Sequence, residues 1–181
     1  NIFISQSLIK KLDNISILNS IGNNRAFTIT DFFRINITNL YISNNYRENI
    51  SNKNNLIEIE KSSGGGIMLK DNLFNTMSNL IFNNCKAIYG GALSIINKKL
   101  SEALCLIQNC KFISCSSNNV GGAIFTYVYD DQKGYANYEF IQDNFNLIYL
   151  INIECSSFKN CTSKNRGGAL FSYYNYSTIL E

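Results

Sequence analysis

Six cysteines, one adjacent pair of acids, one glycine triplet and no histidine set the limits on chemistry in this 181-residue chain. Without histidine the commonest general base near neutral pH and the commonest metal ligand are missing. Neither a Ser-His-Asp nor a Cys-His site can be assembled from these residues. The acid pair is Asp130-Asp131, with Glu139 and Asp143 close by in sequence. Clustered carboxylates, alone or with calcium and a basic residue, are what a glycoside hydrolase or polysaccharide lyase requires. Here the pair stands beside Lys133-Gly134, where acids are ordinary turn formers. Arg25, Arg34, Arg47 and Arg166 are scattered and not organised around it. The pair therefore reads first as a solvated loop. Gly64-Gly65-Gly66 lacks the following Gly-Lys-Ser/Thr of a phosphate cradle and reads as a chain corner.

The elements that would position such residues show themselves as a repeat. Phe82-Asn83-Asn84-Cys85 precedes Gly90-Gly91-Ala92-Leu93, Phe112-Ile113-Ser114-Cys115 precedes Gly121-Gly122-Ala123-Ile124, and Phe158-Lys159-Asn160-Cys161 precedes Gly167-Gly168-Ala169-Leu170. A degenerate copy lies upstream as Tyr41-Ile42-Ser43-Asn44, an insertion, then Gly65-Gly66-Ile67. Successive Gly-Gly pairs are 25, 31 and 46 residues apart. Between signatures stand short β-rich runs, such as Ala26–Thr30, Ala103–Ile107 and Ala123–Val128, separated by Asn, Ser and Gly. That is strand-and-turn punctuation, without helical periodicity. Fixed corners with variable spacing predict an all-β, right-handed parallel β-helix of five to seven coils, stacked about 4.8 Å apart. The 46-residue step holds either one coil with a loop or an extra coil.

Stacking places Phe82, Phe112 and Phe158 in an inward aromatic ladder, with Tyr41 capping its upstream end. The glycine pairs Gly65-Gly66, Gly90-Gly91, Gly121-Gly122 and Gly167-Gly168 make corners, the residue type that accepts positive φ and close backbone approach. Cys85, Cys115 and Cys161 form a second inward ladder. The preferred reading makes them small buried hydrophobes. Disulfide bonding is the alternative, favoured by an even count in an extracellular setting. In-register parallel strands present Cβ atoms poorly for bridging. Zinc is least favoured, because Cys110-x4-Cys115 and Cys155-x5-Cys161 are wider than a structural-zinc knuckle. Cys105, Cys110 and Cys155 have no assigned partners, although Cys110 and Cys155 each precede the aromatic of their copy.

The linked Phe-x-x-Cys and Gly-Gly-Ala-Leu/Ile signatures resemble the polymorphic outer-membrane protein repeats of bacterial autotransporter adhesins. Related protist proteins carry Cys where the bacterial motif has Asn. The resemblance covers residues 37–171. It implies a secreted or cell-surface β-helix that serves adhesion or surface display without catalytic residues or cofactor. Its implied partners are a host-cell or matrix protein or a glycan, together with neighbouring coils of a longer chain. The main rival is a pectate-lyase-like polysaccharide-processing enzyme using Asp130 and Asp131. A purely structural spacer is the third reading.

Residues 1–35 read as degenerate coils and 36–181 as the repeats, with insertions near 45–63 and 129–146. The net charge is +3, and charges of both signs along the chain give no nucleic-acid footprint. The abundance of Asn with Ile, Lys and Tyr fits an A/T-rich coding sequence and carries no functional reading. No apolar run approaches the ~20 residues of a membrane helix. The best, Leu147–Ile151, is broken by Asn152 and Glu154 and reads as a buried strand. Asn14, Asn36, Asn49 and Asn175 head possible glycosylation sequons. Asn160 heads another, but its place inside the repeat predicts burial. The opening Asn1 and the interrupted strand Thr178–Glu181 suggest a piece of a longer protein, with any signal or anchor outside it.

Overall fold

The computed structural model describes residues 2–5, 16–19, 25–47, 56–98, 104–129 and 150–174. Asp130, Asp131, Glu139, Asp143, Asn14, Asn49 and Asn175 lie outside them. The described chain is all-β apart from one short helix. A first rung holds β1 (Ile2–Ser5) and β2 (Ser16–Asn19). The second holds β3 (Phe27–Thr30), β4 (Arg34–Thr38), β5 (Leu40–Ser43) and β6 (Tyr46–Arg47). Helix α1 (Leu56–Ser62) follows, in the insertion expected near 45–63. The third rung holds β7 (Ile67–Lys70), β8 (Phe74–Ser78), β9 (Ile81–Asn83) and β10 (Lys86–Tyr89). The fourth holds β11 (Leu93–Lys98), β12 (Leu104–Gln108), β13 (Lys111–Ile113) and β14 (Ser116–Val120). The fifth holds β15 (Ile124–Tyr129), β16 (Leu150–Glu154), β17 (Ser157–Lys159) and β18 (Thr162–Ser163), and β19 (Leu170–Tyr174) opens a sixth.

The second to fifth rungs each give one strand to each of four sheets, and the described strand pairings are all parallel. Sheet 1 runs β1-β3-β7-β11-β15-β19, sheet 2 β16-β12-β8-β4, sheet 3 β17-β13-β9-β5-β2 and sheet 4 β18-β14-β10-β6. β15 pairs directly with β19 as Ile124↔Leu170, while β16 pairs with β12. The 46-residue step is therefore a single rung whose chain leaves after Tyr129 and returns at Leu150. β16 runs through Asn152 and Glu154, so neither residue breaks the strand.

Strand alternation separates an inner face from an outer one. Ile67, Leu69, Leu93, Ile95 and Ile124 of sheet 1 meet Met77, Ile107, Phe82 and Phe112 in the main core. The Phe82 and Phe112 rings lie 5.0 Å apart and 5° from parallel, and Phe112 and Phe158 lie 4.8 Å apart at 6°. Such pairs add about 0.5–1.5 kcal/mol each beyond area burial. Tyr41 does not cap this ladder. Ile42 pairs with Phe82, so Tyr41 falls on the opposite face, where its hydroxyl accepts a 2.9 Å bond from Asn83 Nδ2. A one-residue shift in register exchanges the two faces of a strand. The upstream glycines shift likewise. Ile67 pairs with Leu93, so Gly64-Gly65 match Gly90-Gly91 and Gly66 stands where the later copies have Ala.

The two glycines of a corner do different work. Gly90 has φ +61°, a conformation that a Cβ disfavours. Gly91 needs space, since a Cβ there would meet Gly122 O at 2.3 Å and Ser116 O at 2.4 Å.

The other corners use the same left-handed geometry without glycine. Among the described residues ten non-glycine positions have positive φ, and eight of them are Asn or Asp. They stack in columns: Asp31 and Asp71, then Asn39, Asn79, Asn109 and Cys155, then Asn44, Asn84, Ser114 and Asn160. Asn and Asp tolerate this region because their short polar side chains bond locally. A structural demand therefore accounts for part of an Asn content that the sequence reading assigned to codon usage.

Helix α1, with no forewarning in the sequence, docks outside sheet 1. Its Ile59 joins Met68, Ile96, Val120, Phe125 and Tyr129 in a second cluster. Arg25 donates to Glu60 O and Arg47 to Lys61 O, so two guanidiniums hold the carbonyls at the helix C-terminus.

The glycine geometry gives a paired test. Gly91→Ala is expected to cost about 3 kcal/mol or more, because backbone oxygens cannot step aside. Gly168→Ala is expected to stay within about 1 kcal/mol, since its nearest obstacle is Cys161 O at 3.5 Å. Urea unfolding of the two variants checks this; equal losses would contradict the close-approach explanation.

Candidate functional site

The sequence-derived residues gather inside the stack. Phe82, Phe112, Cys85 and Cys115 are buried, while Phe158 of the fifth rung is 36% exposed. The Cys85, Cys115 and Cys161 sulfurs approach the carbonyls of Ile42, Phe82 and Phe112 at 3.7, 3.7 and 3.4 Å. Carbonyls of their own rung are as near or nearer for Cys85 and Cys115, Asn83 O at 3.7 Å and Ile113 O at 3.4 Å. Cys110 likewise has Gln108 O of its own rung at 3.2 Å and Met77 O of the preceding one at 3.7 Å. All six cysteines are free thiols. Among the described residues no three His, Cys, Asp or Glu side chains are grouped to hold a metal.

Cys110 and Cys155 are not equivalent, although both precede an aromatic. Cys110 follows the positive-φ Asn109 and is buried, whereas Cys155 is itself the positive-φ residue and is exposed. Asn160, expected to be buried, is likewise an exposed corner residue. Asn36 lies in β4 with its Oδ1 enclosed and unpartnered.

Burial sets the thiol ionisation. It pushes Cys105 strongly up, with the neighbouring Cys110 adding to the effect, and it also raises Cys110. For Cys115 the hydrogen bond with Cys161 lowers the value, but the bond with Cys85 and burial outweigh it and bring it to about 12. Such thiols are inert near neutral pH, because the thiolate is the reactive form.

The described acids serve structure. Asp71 accepts from Lys98 N at 2.9 Å and from the Tyr129 hydroxyl at 2.9 Å, and burial raises its pKa despite these bonds. Glu60 pairs with Lys70 at 2.7 Å. Of the four arginines weighed in the sequence, Arg25 and Arg47 come together at the end of α1. Burial, then Arg47, lowers the Arg25 pKa to about 9 against the opposing effect of Glu60.

Two outer surfaces have no counterpart in the sequence motifs. Outside sheet 1, Phe125 stacks with Phe171 at 6.3 Å and Tyr127 with Tyr173 at 5.5 Å. Outside sheet 4 runs a groove of about 500 Å³ lined by Asn44, Tyr46, Asn84, Lys86, Ser116 and Asn118, among others. Tyr46, Lys86 and Ser116 occupy one register column on successive rungs. Asn84 Nδ2 donates to Asn44 Oδ1 at 2.9 Å beside them. Between Ala87 and Tyr89 the β10–β14 register shifts, so β14 carries an extra residue at the level of Asn118. Such bulges re-aim side chains.

The thiols yield two expected outcomes. At pH 8, iodoacetamide labels Cys155 in the folded chain and reaches Cys105, Cys110 and Cys115 only on unfolding; native labelling of Cys105, read by mass spectrometry, would contradict the packing. Because an unfolded thiol ionises near pH 8.5 while Cys115 resists to about pH 12, its stabilising effect is complete below that window. It is lost as pH rises through it. The fall in urea midpoint from pH 7 to 10 should be smaller in Cys115→Ser.

Comparison with family models, curated proteins and solved structures returns no match.

Proposed function

We propose that this chain is a right-handed parallel β-helix of the polymorphic outer-membrane protein type, displayed outside the cell as a non-enzymatic scaffold for adhesion. The observation that carries the reading is the superposition of Phe82, Phe112 and Phe158 in one register column. Thiols and glycine corners recur beside it at matching positions. A chain that repeats its interior while leaving at fixed points between strands holds a long outer surface rigid. The strands on either side of residues 48–55 and 130–149 keep their register, which suits a scaffold that carries inserted segments between its strands. The enclosed thiols Cys105, Cys110 and Cys115 suit an oxidising exterior, since their raised pKa values and burial slow oxidation. The ligand of such a scaffold is a host-cell or matrix protein or a glycan.

The enzymatic alternative rests on Asp130 and Asp131, outside the described residues. Beads coated with the chain are expected to bind host cells or matrix. Asp130→Asn with Asp131→Asn should leave that binding unchanged, measured by flow cytometry. Cleavage of a polysaccharide by the unaltered chain, abolished in the double variant, would replace the scaffold reading with the enzymatic one.

A further inference from the structure

We infer that the groove outside sheet 4 is a binding site for an extended anionic oligosaccharide. The inference rests on the scaffold reading and names its ligand class and position. Its first support is charge. Segments 40–47, 80–89, 110–120 and 156–166, which form sheets 3 and 4 with the corners joining them, contain Arg47, Lys86, Lys111, Lys159, Lys164 and Arg166 and no Asp or Glu. Of the described acids, Asp31, Asp71 and Glu154 lie on sheet 2 or at the corner between sheets 1 and 2, and Glu58 and Glu60 lie on α1, which packs against β10 but pairs them with Lys61 and Lys70. Among the described residues, the strands of sheets 3 and 4 and the corners joining them thus carry cations and no acid.

The second support is the lining. Lys86 is exposed in the groove, level with Tyr46 on one side and Ser116 on the other. The Asn84–Asn44 bond uses one hydrogen of Asn84 and the oxygen of Asn44, so the pair still offers an acceptor on Asn84 and donors on Asn44. Asn118 adds a third exposed amide. Amides beside a hydroxyl match the paired hydroxyls of a sugar, the Tyr46 ring offers an apolar face to stack under one, and Lys86 supplies a charge-assisted bond to a carboxylate or sulfate. Rungs repeat at about 4.8 Å, close to the length of one sugar ring in an extended chain. Successive residues of an oligosaccharide therefore meet successive rungs. A nucleic acid fits less well, because the cations are spread singly and the groove has one aromatic platform where strand binding uses several.

Calorimetric titration of the full chain with an oligogalacturonate, a neutral oligosaccharide of equal length and an oligothymidylate tests the site. The uronate is expected to bind about tenfold or more tightly than either control. Lys86→Gln should weaken it about tenfold, the scale of one charge-assisted bond. Asn84→Ala and Tyr46→Ala should each weaken it about three- to tenfold. Lys86 is exposed, so its variant folds normally, and an unchanged urea midpoint confirms it. Equal affinity for the neutral sugar, equal affinity for the oligothymidylate, or full affinity in Lys86→Gln each overturns the assignment. If the beads bind cells while the groove variants change nothing, the groove is wrong and the scaffold stands. If the uronate binds through Lys86 but the beads bind no cell or matrix, the scaffold reading fails alone.

Discussion

The strands of each rung find their backbone partners in the rungs above and below, and the rest of the structure answers to that. Parallel pairing in register means that a residue sits over its counterpart rung after rung, as Ile107 lies between Met77 and Ile153. A side chain must suit its own pocket and also the side chains stacked against it. Flat rings satisfy both demands, as Phe82, Phe112 and Phe158 do, and so do thiols directed at the preceding rung's carbonyls. Corners are the tightest points, because the chain must turn while its backbone stays in reach of both neighbours. Left-handed residues turn it most sharply, which is why Gly, Asn and Asp stand there.

This constraint also decides what could be read from the sequence. Three copies of the signature were legible because Phe, Cys and Gly-Gly are rare enough, in a chain full of Asn and Ile, to stand out. The fourth was misaligned by one residue for two reasons. Ile42 fills the ladder position where an aromatic was sought, with Tyr41 next to it as a decoy. Three consecutive glycines also let the corner slide by one. The remaining corners were invisible. A single Asn at 39, 79 or 109 carries no contrast against so many others, and only its backbone angle sets it apart. Helix α1 escaped notice because seven residues are too few for a helical period to emerge, and its stability comes from Arg25, Arg47 and the apolar surface under Ile59.

The groove was illegible for a deeper reason. Tyr46, Lys86 and Ser116 are tens of residues apart, on strands as short as two residues, and none belongs to a motif. What unites them is the register, which the sequence reveals only once the interior has been aligned. The same holds for charge. Read along the chain, Glu154 and Lys159 are near neighbours; around the stack they stand on sheets 2 and 3.

Interior and exterior are therefore under separate control. The inner columns must repeat, because each residue packs against its own image, and Cys85, Cys115 and Cys161 keep a thiol at one such position rung after rung. The outer columns have no such obligation. Tyr46, Lys86, Ser116 and Thr162 stand in one column and differ in size and charge. A fold whose inner face is dictated by stacking leaves its outer face free to differ from rung to rung, and any recognition by the described residues must be written on that face.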